Sequence, residues 1–150
     1  MQPVFQWSRL SELGGTQFHQ IIAAREAVFV VEQNCPYQDA DHHDDLSWHL
    51  SMHIDGELAA YLRIVDPGHK YPEPSIGRVL TTAPFRGRGL GQRLMAEAID
   101  GAQTHYPGQP IRISAQVYLL DFYRSFGFQV VGEVYLEDGI EHQEMLRAGA

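Results

Sequence analysis

The stretch Arg86-Gly87-Arg88-Gly89-Leu90-Gly91 constrains this chain more than any other. A short apolar run, residues 76–80, leads into it, and an amphipathic pattern over residues 89–102 leads out. In that pattern Leu90, Leu94, Met95, Ala98, Ile99 and Ala102 fall on one helical stripe. A strand therefore enters a glycine turn and a helix leaves it. Glycine lets a ligand approach backbone N–H groups closely. A helix N-terminus aims its unpaired N–H groups and positive dipole end into the same space. Such a turn is suited to a phosphate or pyrophosphate.

Three kinds of phosphate loop compete for the stretch. A Walker loop needs lysine and then Ser/Thr after its last glycine, and neither is present. A dinucleotide fingerprint, Gly-x-Gly-x-x-Gly, counted from Gly87 puts Gln92 where the third glycine belongs. The third pattern, Arg/Gln-x-x-Gly-x-Gly/Ala at a strand-to-helix junction, is matched at every position.

The rest of the chain supplies the frame. Residues 4–7 read as a first strand, and Ser8 or Ser11 can cap a following helix. Apolar residues recur at helical spacing over 13–31, although the β-branched run 28–31 leaves the end of that helix open. Residues 32–45 form a long irregular stretch containing Pro36 and many Asp residues. Residues 48–54 and 58–65, joined through Asp55-Gly56, give the strongest hairpin signal. After the second helix, residues 111–115 read as a strand, parallel to 76–80 if the unit is βαβ. A short helix over 118–126 and two strands, 128–135 and 142–146, complete the chain, the strands joined at Glu137-Asp138-Gly139. The expected class is α+β, with a mixed, mostly antiparallel central sheet, one parallel βαβ crossover and flanking helices.

Length and charge limit the function. The 150 residues suggest one domain, 1–150. A net charge of −8 disfavours nucleic acid as a partner and favours a cationic or amine-bearing one. The N-terminus lacks the pattern of a signal peptide, and no apolar run is long enough to span a bilayer, so no membrane partner and a cytoplasmic location are expected. The single cysteine, Cys35, fits a reducing compartment.

Tyr123-Arg124-Ser125-Phe126-Gly127-Phe128 places a tyrosine four residues before a Gly-Phe pair. With the glycine turn, and with the order of elements over nearly the whole chain, it resembles the GNAT superfamily of N-acetyltransferases. The segment Arg25-Glu26-Ala27-Val28-Phe29-Val30-Val31-Glu32-Gln33-Asn34-Cys35-Pro36-Tyr37-Gln38-Asp39 is similar to the ElaA-like predicted acyltransferases. Arg25 and Phe29 also resemble the acyl-homoserine-lactone synthase branch. The resemblance implies the GNAT fold and acetyl-CoA as co-substrate, with no metal. It implies direct transfer of the acetyl group to a primary amine, either a small cationic amine or a peptide amine. A longer-chain acyl donor, or a catalytically silent CoA-binding module, is the alternative.

The same resemblance distributes roles. Backbone N–H groups of Arg88, Gly89, Leu90, Gly91 and Gln92 would take the pyrophosphate, opened to it by Gly87, with Arg86 and Arg88 adding charge. The edge of Val79, Leu80 and Thr81 would pair with the pantetheine amides, and an N–H near Leu80 would face the oxyanion. Gln116, where many relatives carry Asn, would reach toward the pantetheine. Tyr123 is the candidate general acid for the leaving thiolate. For the general base Glu32, His49 and Asp41 stay open. Glu32 has a plainer reading as a partner of Arg25 or a helix cap, and Tyr118 one as a packing residue. The Asp/His cluster over residues 39–53 lacks the spacing of a metal loop, and Cys35 has no evident partner base for a nucleophile. Edge strands near the C-terminus make a homodimer an expectation.

Overall fold

The structure, a computed structural model, describes residues 2–149. Met1 and Ala150, the end residues of the expected domain, lie outside them. Seven strands form one sheet: β1 (Val4–Arg9), β2 (Ser47–Ile54), β3 (Glu57–Val65), β4 (Ser75–Thr81), β5 (Ile111–Gln116), β6 (Gln129–Glu137) and β7 (Ile140–Arg147). Their order across the sheet is β1-β2-β3-β4-β5-β7-β6. All neighbouring pairs are antiparallel except β4 with β5. The mixed sheet with one parallel pair is the architecture expected from the sequence.

Helices cover both faces. The helix α2 (Leu90–His105) buries Leu90, Leu94, Met95, Ala98, Ile99 and Ala102 on one face, the stripe visible in the sequence. They pack with Leu50, Leu62, Ile64, Ile111 and Ile113 of the sheet. On the other face α1 (Gly15–Arg25) sets Ile21 against Tyr61 and Leu80. β3 lies between both layers, and its residues Ala59 to Val65 are all buried and, but for Arg63, without alternation of apolar and polar side chains. The short helix α3 (Leu120–Arg124) follows β5 and ends at Gly127, whose φ of 91° suits the left-handed turn.

Three local readings change. Neither Ser8 nor Ser11 caps α1; its N-cap is Gly14. The β-branched run after Arg25 does not leave the helix but widens it into a π-helical segment, Glu26–Glu32. The irregular stretch is shorter than expected, because Asp41 caps a 3-10 turn, His42–Leu46, through its side chain to the His43 N–H.

β4 and β5 pair at one position only, Ser75 with Arg112. Arg112 fastens that point with its side chain, bridging Glu73 and Glu144 at 2.9 Å each. Beyond it β4 bulges: Arg78 and Val79 together stand opposite Leu62, and Arg78 takes a φ of 54°. The strands then diverge and leave the β5-facing edge of β4 without a strand partner. Among the described residues no helix is long and apolar enough to cross a membrane.

One glycine without a part in any turn is indispensable for packing. A Cβ on Gly101 of α2 would lie 2.1 Å from the Trp7 ring, which is also held by its Nε1–H to Glu97 at 3.0 Å. Gly101→Ala should therefore destabilise the fold by about 1–3 kcal/mol in urea unfolding. The cost should shrink in a Trp7→Leu background; an equal cost in both would place the strain elsewhere.

Candidate acyl-transfer site

The divergence of β4 from β5 opens a cleft of about 870 Å³. Its walls come from β4 (Gly77, Val79, Leu80, Thr81), β5 (Ser114, Gln116), the π-helical segment (Phe29, Glu32) and Tyr123 of α3. A smaller hollow of about 270 Å³ adjoins it, lined by Thr81, Phe85, Arg86, Gly87, Gly89, Leu90, Gly91, Gln92 and Phe122. Thr81 and Arg86 line both spaces, so the glycine turn and the strand gap are continuous. Gly89 caps α2 at a φ of 72°, and Gly87 takes 78°. Both values are strained for any residue with a Cβ, which is why glycine occupies these positions. The first N–H groups of α2 have no intrahelical acceptor and no acidic residue sits in its first turn, so the hollow suits an anion.

The arginines of the turn are occupied differently. Arg88 stacks over the Phe85 ring, 5.2 Å from its centroid, and does not line the hollow. Arg86 donates from Nε to the Thr81 carbonyl at 3.1 Å and from Nη2 to Glu32 at 3.0 Å. Glu32 thus pairs with Arg86 and not with Arg25. Both partners are more than two-fifths exposed, and an exposed pair of this kind is worth about 0–1 kcal/mol.

Tyr123 lies at the cleft wall with 7% of its surface exposed. Burial, with a smaller contribution from Tyr118, pushes its phenol up to about 12. It therefore holds its proton throughout the neutral range, as a donor must. Tyr118 is 74% exposed and borders the cleft, so it is no core residue. Gln116 ends β5 within the cleft wall.

His49 is not in the cleft. It is 1% exposed, and both ring nitrogens are taken: Nε2–H donates to the Asp44 carbonyl at 2.8 Å, so Nδ1 accepts from Tyr61 Oη–H at 2.7 Å. Burial holds its pKa low. A ring so placed has no lone pair to offer an acceptor, so His49, expected from the sequence as a candidate base, does not fill that role. Asp41 borders the cleft, but Arg63 donates to both its oxygens, at 2.7 and 3.1 Å. Burial works to raise the carboxyl, yet the Arg63 hydrogen bond and charge, with Arg78, hold it at about 2. It cannot take a proton near neutrality.

Asp41 belongs to an ionic cluster that no sequence motif marks. Arg25, fully buried, donates to Asp39 Oδ2 at 2.6 Å, to Asp44 Oδ1 at 2.7 Å and to the Asp39 carbonyl at 2.8 Å. Arg63 reaches Asp44 at 2.8 Å. Arg78 Nε lies 2.8 Å from Asp39 Oδ1, near enough for charge but without a directed hydrogen bond. Asp39, Asp41 and Asp44 of the Asp/His stretch are thus committed to arginines. Among the described residues no group of three or more His, Cys, Asp or Glu is arranged to hold a metal ion. Cys35, with burial raising its thiol, donates to the Asp138 carbonyl at 3.5 Å and joins the irregular stretch to the β6–β7 turn.

The far side of the cleft carries polar residues that no motif pointed to: Lys70, Ser114, Glu137 and His142. The alternation on β5 was the available signal. Ile111, Ile113 and Ala115 face the core, so Arg112, Ser114 and Gln116 face the other way. The register then brings His142 opposite Gln116 and Glu144 opposite Ser114.

A strand edge freed by a bulge, a helix end with unpaired N–H groups beside it and a buried phenol stand together along one cleft. A family model for an acetyltransferase (GNAT) domain matches residues 16–147. A UPF0039 protein of Synechocystis is 44% identical over 147 residues, covering 97% of this chain and 96% of that protein. Protein ElaA of Escherichia coli is 44% identical over 149 residues, covering 96% and 97%. The structure is similar to that of an acyl-CoA N-acyltransferase from Pseudomonas aeruginosa, with a TM-score of 0.93, 39% identity and coverage of 98% and 100%. The chain belongs to the GNAT acetyltransferase family.

The ion pairing of Asp41 makes a pH prediction. Its carboxyl is held at about 2 when folded, against about 3.9 in an unfolded chain. The stabilisation is therefore complete above about pH 4 and is lost as pH falls toward 2. Asp41→Asn should remove about one proton from the acid-unfolding dependence in that window, measured by urea titrations at successive pH values. An unchanged slope would mean Arg63 does not hold the carboxylate in solution.

Proposed function

We propose that this chain is an acetyl-CoA-dependent N-acetyltransferase that passes the acetyl group directly from the thioester to a primary amine, either a small cationic amine or a peptide amine. The observation that carries the reading is the continuity of the glycine-turn hollow with the gap between β4 and β5. A pyrophosphate on the N–H groups of Leu90, Gly91 and Gln92 leads its pantetheine arm along the free edge of β4, where amide groups pair as a strand would. The arm would end near Tyr123, whose neutral phenol is available to protonate the leaving thiolate.

The amine nitrogen attacks the thioester carbonyl, the C–S bond breaks, and sulfur takes a proton. An ammonium and a thioester become an amide, a thiol and one released proton. No acyl-enzyme is needed, and Cys35, hydrogen-bonded and buried, supplies no thiolate.

The test is thiol release from acetyl-, butyryl- and octanoyl-CoA across a panel of amines. Acetyl-CoA should react fastest; a faster octanoyl-CoA would replace the donor, and no thiol release with any amine would leave a CoA-binding module. Tyr123→Phe should lower kcat on the order of 10²-fold while leaving donor affinity nearly unchanged. Equal kcat in the variant would remove Tyr123 from proton transfer.

A further inference from the structure

Once the Arg–Asp pairs are set aside, few groups in the cleft can still take up a proton. His49 lies outside the cleft with both nitrogens engaged, Asp41 is held ionised by Arg63, Glu32 is paired with Arg86, and His43 stands 3.9 Å from Asp41 beside the arginine cluster. His142 differs from all of these. It is 6% exposed, begins near the tip of the β6–β7 hairpin, and lines the cleft. Its Nδ1 lies 2.7 Å from the Ile140 carbonyl. A carbonyl only accepts, so Nδ1 carries the hydrogen and the neutral ring presents its Nε2 lone pair.

That lone pair faces the Glu137 carboxylate, with Nε2 3.5 Å from Oε2. In the neutral form of the ring two acceptors thus stand side by side, and Lys70, which also lines the cleft, is the cation that interacts with Glu137. Glu137 is about half exposed and also lines the cleft. An alkylammonium brings three N–H donors and a positive charge, and it satisfies both groups at once. The ring is fixed by its bond to Ile140 and by stacking on Tyr135, whose centroid is 6.0 Å away at an interplanar angle of 26°. Tyr135 in turn is hydrogen-bonded to Ser114 of β5.

The position along the sheet also suits an acceptor. His142 pairs in register with Gln116. Four steps along the sheet from the joined pair Ser75–Arg112 reach Gln116 on β5 and, with the residue added by the bulge, Leu80 on β4. His142 therefore stands across the gap from the free stretch of β4 along which the donor arm is expected.

We infer that His142 is the general base of the transfer and that, with Glu137, it forms the seat of the acceptor ammonium. This rests on the acyl-transfer reading above. Nε2 takes one proton from the ammonium, leaving a neutral amine whose lone pair attacks the thioester carbon. The imidazolium keeps its Nδ1–H on Ile140 and is neutralised by Glu137, which passes the proton to the water it faces. Tyr123 supplies the proton that sulfur gains, and the second amine proton, lost as the C–N bond forms, restores the Tyr123 phenol. One proton reaches solvent for each amide made.

Ethylamine and methoxyamine test this, being alike in shape. The first arrives as an ammonium and needs a base; the second arrives neutral. In His142→Asn the amide N–H can still bond Ile140 but the lone pair is gone. The variant should lower kcat/KM for ethylamine by about 10²–10³-fold and that for methoxyamine by less than about threefold. Glu137→Gln should raise KM for ethylamine and not for methoxyamine. Equal losses for both amines, or none, would overturn the proposal. Calorimetric acetyl-CoA binding reports whether each variant is folded. If His142→Asn fails to bind, His142→Gln takes its place, and failure of both would make His142 a structural residue. Failure of the acyl-transfer reading looks different: the wild-type protein would release no thiol with either amine.

Discussion

The cleft depends on charges held where water is scarce. Arg25, Arg63 and Arg78 come from the end of α1, from β3 and from the bulge of β4, and their aspartates all come from residues 39–44. One stretch of irregular chain is thereby tied to three elements of regular structure. Replacing such a cluster by apolar groups is often neutral for stability, but removing one partner leaves a buried charge uncompensated, at a cost of about 3–5 kcal/mol. The cluster therefore specifies a position more than it adds stability. It also accounts for the backbone of Arg78, whose positive φ is unfavourable for a residue with a Cβ. The pull of Asp39 and Asp41 on its guanidinium opposes that cost.

The bulge has a consequence for the sheet. β4 is hydrogen-bonded to β3 along most of its length and to β5 only at Ser75. Arg112, gripped by Glu73 and Glu144, keeps the strands together at that end. With one end fixed and the other displaced, the two halves of the sheet can only diverge. Exposed polar edges usually invite another strand. Here the edge lies inside a cleft, where an extended chain bearing amides can reach it but a second sheet cannot. An acidic protein thereby offers a polyanion a local basic turn and a row of backbone donors, whatever its net charge.

Much of this was legible in the sequence because it rests on local rules. The Asp55-Gly56 hairpin, the stripe of α2 and the glycine turn each follow from short-range periodicity or from φ, and all stand where expected. The π-helical widening after Arg25 was not legible, since a β-branched run is compatible with a strand or a strained helix and only packing over Tyr61 and Leu80 decides. Gly101 looked like one more helix residue, and its need for a bare Cα comes from Trp7, far away in the chain. The roles of charged groups were the least legible. Asp39 to Asp45 read as a solvated acidic run, yet three of its carboxylates face arginines distant in sequence. Whether a carboxylate meets water or a guanidinium depends on topology, not composition.

The same hydrogen-bond accounting separates the candidate bases. Proton uptake needs a lone pair that nothing else occupies, an approach from the cleft and a counter-charge for the cation formed. His49 is the more conspicuous histidine in the sequence, near the acidic run. Its burial disqualifies it, because both of its nitrogens are bonded, to Tyr61 and to the Asp44 carbonyl. Glu32 meets the approach condition, but its carboxylate is already paired with Arg86. His142 lies one strand from the edge, where the sheet is covered on one side and open to the cleft on the other. It keeps one nitrogen on the backbone and leaves the other facing a carboxylate across a gap of 3.5 Å. A residue is left half-bonded in this way only where solvent or a ligand can complete it, and the cleft admits both.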